Sequence, residues 1–173
     1  MLLQFCDLER MVINGAKAEL IELTKAGFLS DEDASLVRIR EAEGFAKSKL
    51  IHDMLDAKKL YREFRFNVKL PADDFATEPE LKSLLNGESV LVQGVIDCLY
   101  EDTDGELHLI DYKTDRLSPE EKANRELARQ KMYEKHSLQL SYYAKAVELM
   151  FGKRPKTVEV YSLPLGDTLD VSR

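Results

Sequence analysis

The most constraining stretch of the chain runs from Val90 to Thr114, where acidic residues are set into strand-like sequence. Val90 to Tyr100 is rich in apolar and β-branched residues and carries one acid, Asp97, within Gly94-Val95-Ile96-Asp97. Asp102-Thr103-Asp104-Gly105 has the composition of a hairpin turn, and Leu107 to Tyr112 resumes as a strand in Ile110-Asp111-Tyr112-Lys113-Thr114. Side chains alternate along a strand, so Asp111 and Lys113 point the same way. If the two strands are neighbours, Asp97 joins them on that face. Two carboxylates about 4 Å apart repel by roughly 4 kcal/mol at an effective dielectric near 20. Left alone, one of them keeps its proton. A hard divalent cation removes the conflict, because it takes carboxylate and carbonyl oxygens. An ammonium beside it can steer a water or neutralise charge growing on a phosphate. The bland reading is a surface ion pair between Asp111 and Lys113, with Asp97 elsewhere, since Asp-x-Lys is a common tripeptide.

The 173 residues suit one domain with a real core, and 44% hydrophobic with 33% charged residues describes a soluble globular chain. A net charge of −7 argues against a surface coated with cations. Charge is nevertheless uneven. Residues 116–156 hold ten Lys/Arg against five Asp/Glu, a balance of +5, which leaves −12 on the rest. A basic segment beside an acidic site suits a phosphate backbone; a pair of solvated mixed-charge helices would give the same count. Cys6 and Cys98 have no metal-ligand spacing, and Cys98 reads as a buried thiol in a reducing, cytoplasmic chain. No apolar run approaches membrane-spanning length, and the N-terminal Met1-Leu2-Leu3-Gln4-Phe5-Cys6 is too short for a signal peptide.

Helical spacing covers Leu2 to Val12 and Ala16 to Ala26. Ser30 with Asp31-Glu32-Asp33 is a helix start, and a further helix is expected after Gly44. From Lys59 the period changes to two, giving a strand that Pro71 stops. Leu81 to Leu85 reads as a short helix or turn. Ser118-Pro119-Glu120-Glu121 opens a helix to about Met132, Ser137 to Phe151 forms a second, and Thr157 to Leu163 forms a last strand. The order predicts an α/β domain with a mixed sheet flanked by helices: an N-terminal helical section over residues 1–58 and a core over 59–173, one structural domain overall.

Several lesser patterns have bland alternatives. The turn at Asp102-Thr103-Asp104-Gly105 is a hairpin rather than a calcium loop, because its flanks read as strands. Gln139 and Tyr143 share one helix face, where both can hydrogen-bond a phosphate and the ring can stack on a base; Leu140, Tyr143, Val147 and Met150 also read as simple core. Glu63 is a weak candidate for a third carboxylate. His52, His108 and His136 read as surface or packing histidines. No GxxxxGK[ST] phosphate loop is present, so this chain does not hydrolyse ATP by that route.

Taken in order, Gln93 to Asp97, Ile110-Asp111-Tyr112-Lys113-Thr114-Asp115 and Gln139 to Ala144 resemble the RecB-type nucleases of the PD-(D/E)xK superfamily. The likeness is greatest to the C-terminal nuclease domain of AddA-type helicase–nuclease subunits, and weaker similarity extends to Tyr61-Arg62-Glu63 and the helices before it. The resemblance implies a restriction-endonuclease-like core and a metal-dependent deoxyribonuclease (exonuclease) activity in double-strand-break repair and recombination. It implies Asp97, Asp111 and the Tyr112 carbonyl as ligands of Mg²⁺ or Mn²⁺, Lys113 as catalytic lysine, and Gln139 and Tyr143 as groups that orient DNA and the lysine. Thr114 and Arg116 are expected to touch phosphate. The implied partners are single-stranded DNA, the helicase region that would use ATP, and an AddB-type partner protein; no iron–sulfur cluster and no membrane are expected. The family's metal-binding histidine would fall just before Met1, so the sequence reads as an excised fragment lacking that ligand. A catalytically inert DNA-path or scaffold module and a stand-alone RecB-like exonuclease are the other readings.

Overall fold

A five-stranded mixed sheet lies between two unlike helical layers in the computed structural model, which describes residues 2–172. Six short helices come first: α1 (Leu2–Phe5), α2 (Leu8–Asn14), α3 (Ala16–Lys25), α4 (Asp31–Leu36), α5 (Ile39–Ala46) and α6 (Lys49–Leu55). The expected helix over Leu2 to Val12 is thus two, because the Asp7 side chain accepts the Arg10 N–H at 2.9 Å and starts a new helix. Gly44 lies inside α5; the break comes at Ser48, whose hydroxyl accepts the Ile51 N–H to cap α6. Buried Glu19 locks α2 to α3 by accepting the Asp7 N–H at 2.8 Å and pairing with Arg10, whose guanidinium holds the carboxyl below its usual range.

Strands β1 (Lys59–Pro71) and β2 (Ser89–Glu101) form a long antiparallel ribbon, with a 3-10 turn over Ala72–Phe75 and α7 (Pro79–Leu85) between them. Strand β3 (Leu107–Lys113) pairs antiparallel with β2, so the two acid-bearing strands are neighbours as the sequence predicts. Helix α8 (Pro119–Ala123) begins in a capping box: the Glu121 N–H donates to the Ser118 hydroxyl at 3.1 Å, and the Ser118 N–H to the Glu121 carboxylate at 2.6 Å. Helix α9 (Arg125–Phe151) is continuous, whereas the sequence suggested a break between Met132 and Ser137. Nothing there can break a helix, since Tyr133-Glu134-Lys135-His136 has neither glycine nor proline. Ala128, Met132, His136, Leu140 and Ala144 recur at four-residue spacing and are buried as one stripe. The crossover through α9 sets β4 (Thr157–Ser162) parallel to β3, and β5 (Asp167–Asp170), a strand the sequence did not signal, folds back on β4.

Each face of the sheet has its own core. Cys98, Tyr100, Ile110 and Tyr161 pack under α1–α6, including Phe45, Ile51 and Met54. Ile96, Leu99, Leu109, Val158 and Val160 pack under α9. These two cores expose an interruption of strand alternation. Ile96 and Cys98 are two apart and should share a face, yet they lie in opposite cores. On β1, Tyr61 and Phe64 both pack on the α9 side although three residues apart. The break falls on Asp97 and on Glu63, which stand between the registered pairs Arg62↔Cys98 and Phe64↔Ile96. Glu63 has φ of 51°, the left-handed region that side-chain-bearing residues rarely enter. Its carboxylate accepts the Gln4 amide at 3.3 Å, while the Arg62 guanidinium donates to the carbonyls of Leu3 and, at 2.7 Å, Cys6, tying α1 to the ribbon.

A left-handed glutamate costs about 1–3 kcal/mol, which glycine would not incur. Glu63→Gly is therefore expected to unfold at equal or higher urea concentration, and the β-branched Glu63→Val at clearly lower concentration. Equal loss in both variants would mean that the side chain, not the backbone conformation, stabilises the turn-over.

Candidate active site

The acids and the lysine meet where β2 and β3 end beside the ladder break. Asp111 and Lys113 follow Leu109 on the α9 side of β3, two and four residues on. Asp111 is only 4% exposed, and the Lys113 ammonium lies 2.5 Å from its Oδ2. Among the described residues, the buried Oδ2 takes only this charge-assisted contact with the ammonium and no other hydrogen bond. Asp97 comes in from the break, and its Oδ2 accepts the Tyr112 N–H at 2.8 Å. The Asp97 carboxyl is pushed up to about 6, first by burial and then by the charges of Asp111 and Glu63; the Tyr112 N–H and Lys113 oppose the rise. Asp97 thus shares an electrostatic neighbourhood with Asp111 and Lys113.

On the cap side, Asp97, Glu63, Tyr112, Thr114, Gln4 and Arg38 line a groove of about 490 Å³. Thr114 is exposed there, whereas Arg116 is exposed with only its backbone engaged, its carbonyl accepting the Lys131 ammonium at 2.8 Å. Gln139 donates to the Tyr143 hydroxyl at 2.9 Å across one turn of α9. Tyr143 packs edge-on against Phe66, ring centroids 5.2 Å apart. Gly94 makes this possible: a Cβ there would meet the Phe66 ring at 2.7 Å and Tyr143 Cε1 at 3.0 Å. Among the described residues no hydrogen bond or ion pair joins Gln139 or Tyr143 to Asp97, Asp111 or Lys113.

Two neighbours had no signal in the sequence. Ser162 stands opposite Lys113 in the parallel β3–β4 ladder, fully buried, its hydroxyl without a hydrogen-bond partner. His136, read as a packing histidine, is buried and bonds Asp115 through Nε2 at 3.0 Å. Burial and then the Lys113 charge hold its pKa down. His108 is held between Asp102 and Thr157 at 3.0 and 2.9 Å, away from this cluster. The Asp102 turn is a hairpin, its Oδ1 accepting the N–H groups of Asp104 and Glu106. Cys98 is a buried free thiol pushed up to about 12 by burial.

Toward a metal, the buried Asp111 Oδ2 offers an oxygen whose one partner among the described residues is Lys113, and the second carboxylate, Asp97, is pushed by burial toward its protonated form. Among the described residues no three His, Cys, Asp or Glu side chains form a closed cage. Two carboxylates suffice for Mg²⁺, which keeps several waters and binds through one or two carboxylates and substrate phosphates. The donor set fits such an ion rather than a fully protein-enclosed one.

The raised Asp97 pKa has a consequence for stability. Folding favours the protonated acid, so this contribution is present below the unfolded carboxylate range near pH 4 and is lost as pH rises through about 6. Urea unfolding at pH 4 and pH 7 is expected to show a smaller drop for Asp97→Asn than for the parent chain. Equal drops would remove Asp97 from the set of strained acids.

Comparison with known proteins adds the lineage. The chain is 32% identical over 98% of its length to an ATP-dependent helicase/nuclease subunit of Thermoanaerobacter sp. (strain X514), covering 13% of that protein. It is 34% identical over 84% of its length to the protein of the same name from Acetivibrio thermocellus, and 35% over 82% to that of Bacillus velezensis, covering 11% of each. The chain therefore spans about an eighth of the length of these relatives. The family model of the PD-(D/E)XK nuclease superfamily matches residues 13–169, which includes both acidic strands, α9 and most of the cap. With a mixed sheet flanked by helices and an Asp-x-Lys pair near a second, half-buried aspartate, the chain belongs to the PD-(D/E)XK nuclease superfamily.

Proposed function

We propose that this chain is the nuclease domain of a helicase–nuclease protein and hydrolyses phosphodiesters of DNA with a bound divalent cation, Mg²⁺ or Mn²⁺. The observation that carries the reading is the buried Asp111–Lys113 ion pair, beside a second acid that burial drives toward protonation. Asp97, Asp111 and the Tyr112 carbonyl hold the ion. When bound, it supplies positive charge to a phosphate oxygen and acidity to a water.

The chain's own groups do the rest. Lys113, held by Asp111, places an ammonium where negative charge grows on the phosphate as water attacks phosphorus. The low-dielectric setting strengthens that interaction and keeps the lysine in one position. The Tyr112 N–H fixes the Asp97 carboxylate so that it does not rotate away. Gln139 and Tyr143, fastened to each other and seated on Phe66, orient the nucleic acid from α9; Thr114 and Arg116 take phosphate at the exposed end of β3.

The likeness to helicase/nuclease subunits supports a further placing. The substrate is one DNA strand delivered by a helicase region of the same polypeptide, with an AddB-type partner protein, in exonucleolytic processing during double-strand-break repair and recombination. The reaction takes place in the cytoplasm, where bacterial DNA is processed. No helix among the described residues is long and apolar enough to cross a membrane. Residues 1–58 act as the cap and 59–173 as the nuclease core. A catalytically inert module that only guides DNA is the second reading, favoured by the finding that no three His, Cys, Asp or Glu side chains among the described residues are grouped to hold a metal.

Cleavage of a labelled single-stranded oligonucleotide in Mg²⁺ separates the two. Lys113→Ala and Asp111→Asn are each expected to slow cleavage by about 10²–10³-fold while the unfolding transition persists. Cleavage within tenfold of the parent chain in both variants would sink the assignment of roles, and none from the parent chain would favour the inert module.

A further inference from the structure

The ladder break at Glu63 and Asp97 leaves one face of the distal ribbon uncovered. Beyond it, Phe64, Phe66, Val68, Val92 and Ile96 face α9. The opposite face carries Arg65, Asn67 and Lys69 on β1 and Val95, Gln93 and Leu91 on β2, in the registered pairs Arg65↔Val95, Asn67↔Gln93 and Lys69↔Leu91. All six are exposed. The cap does not reach them, for the cap-side core includes no residue of 64–71 or 89–97.

The chemistry of this face differs from that of the chain as a whole. It has no carboxylate, in a protein with 32 acidic residues and a net charge of −7. Among the described residues neither the Arg65 nor the Lys69 side chain has an ion-pair or hydrogen-bond partner, whereas twelve other Lys and Arg side chains pair with an acid. Asp74, the nearby acid past the ribbon's end, is turned to the α9 side by its 2.8 Å ion pair with Lys145. Alternate residues of a strand stand about 6.6–6.8 Å apart, so Arg65, Asn67 and Lys69 form a ladder about 13 Å long whose step matches a stretched nucleotide backbone. Two cations along one rail suit successive phosphates. The paired amides Asn67 and Gln93 offer donors and acceptors, and Val95 with Leu91 offers flat apolar surface to bases. The ladder's first rung, Arg65↔Val95, lies two residues past Glu63 and Asp97, with only Phe64↔Ile96 between, so it leads toward the groove that Glu63 and Asp97 line.

We propose that the cap-side face of the distal β1–β2 ribbon is a track for single-stranded nucleic acid, carrying the strand to Asp97, Asp111 and Lys113. The track deepens the nuclease reading of that site and rests on it for its purpose, though not for its binding chemistry. Charge complementarity selects a polyanion. The ribbon is only two strands wide, about 5 Å between them, and so suits a single strand rather than a duplex.

The test is anisotropy of a labelled oligo(dT) with the full chain in EDTA, where binding is read without cleavage. The double variant Arg65→Ala/Lys69→Ala is expected to bind about tenfold more weakly, and to flatten the slope of log K against log salt by about 1.4, two phosphate contacts' worth. The charge-conserving Arg65→Lys/Lys69→Arg should restore most of both. Arg154→Ala/Lys156→Ala, two exposed cations before β4, should change binding less than twofold. In Mg²⁺ with saturating protein, Lys113→Ala should bind the oligonucleotide as the parent chain does and fail to cleave it. Should Lys113→Ala still cleave while the ribbon variant loses affinity, the active-site reading falls and the track stands. Parent affinity and slope in the ribbon variant, or no oligonucleotide binding by the parent chain, would overturn the track and leave the face to a protein contact.

Discussion

The interrupted pairing of Glu63 with Asp97 governs the architecture around the site. An unbroken ribbon would keep one set of alternating residues under the cap along its whole length. Because both strands turn over at the same rung, the near half buries Cys98 and Tyr100 beneath the cap while the far half gives its apolar residues to α9. Asp97 lies on the hinge between the two regimes. From there its carboxylate reaches the Tyr112 N–H on the neighbouring strand instead of standing out from one sheet face. Gln4 from α1 and Arg62, reaching from β1 to the Leu3 and Cys6 carbonyls, brace this part of the ribbon, so the left-handed backbone at Glu63 is held by contacts on several sides.

Electrostatics at this hinge are unresolved within the chain itself. Among the described residues Asp111 Oδ2 is compensated by Lys113 alone, and Asp97 is pushed toward its neutral form. A protein selected only for stability would replace such a pair with apolar groups, since buried ions gain little over a well-packed core. The arrangement makes sense when a cation completes it. His136 feels the Lys113 charge, and Ser162 is the ladder partner of Lys113 on β4.

Much of this was legible in the residues. Asp111 and Lys113 share a face because the period of a strand is two, and Asp97 joins them because a short turn forces its strand to be the neighbour. The Ser118 capping box, the hairpin at Asp102 and the buried Cys98 follow from local chemistry alone. Tyr143 could be read equally as core or as a contact to nucleic acid; its physical link to Gly94, a ring packed where a Cβ would clash, emerges only from the fold. The turn-over at Glu63 has no composition signal, since glutamate is not a residue that favours positive φ. The β5 strand is four residues long and owes its existence to the turn ending at Gly166, not to its own propensity. The sequence reading ended one helix near Met132 and began another at Ser137, but tertiary burial of Met132 and His136 carries α9 straight through. Ser162 was invisible because a parallel neighbour is set by a crossover of more than forty residues, from Lys113 to Thr157.

The central claim is that Asp97, Asp111 and the Tyr112 carbonyl surround one cation beside Lys113. Anomalous diffraction from crystals of the chain soaked in Mn²⁺ tests it most directly. The account predicts a single strong peak in contact with both carboxylates, absent from Asp111→Asn crystals grown the same way. A peak bound elsewhere, or none with the two carboxylates turned apart, would contradict it.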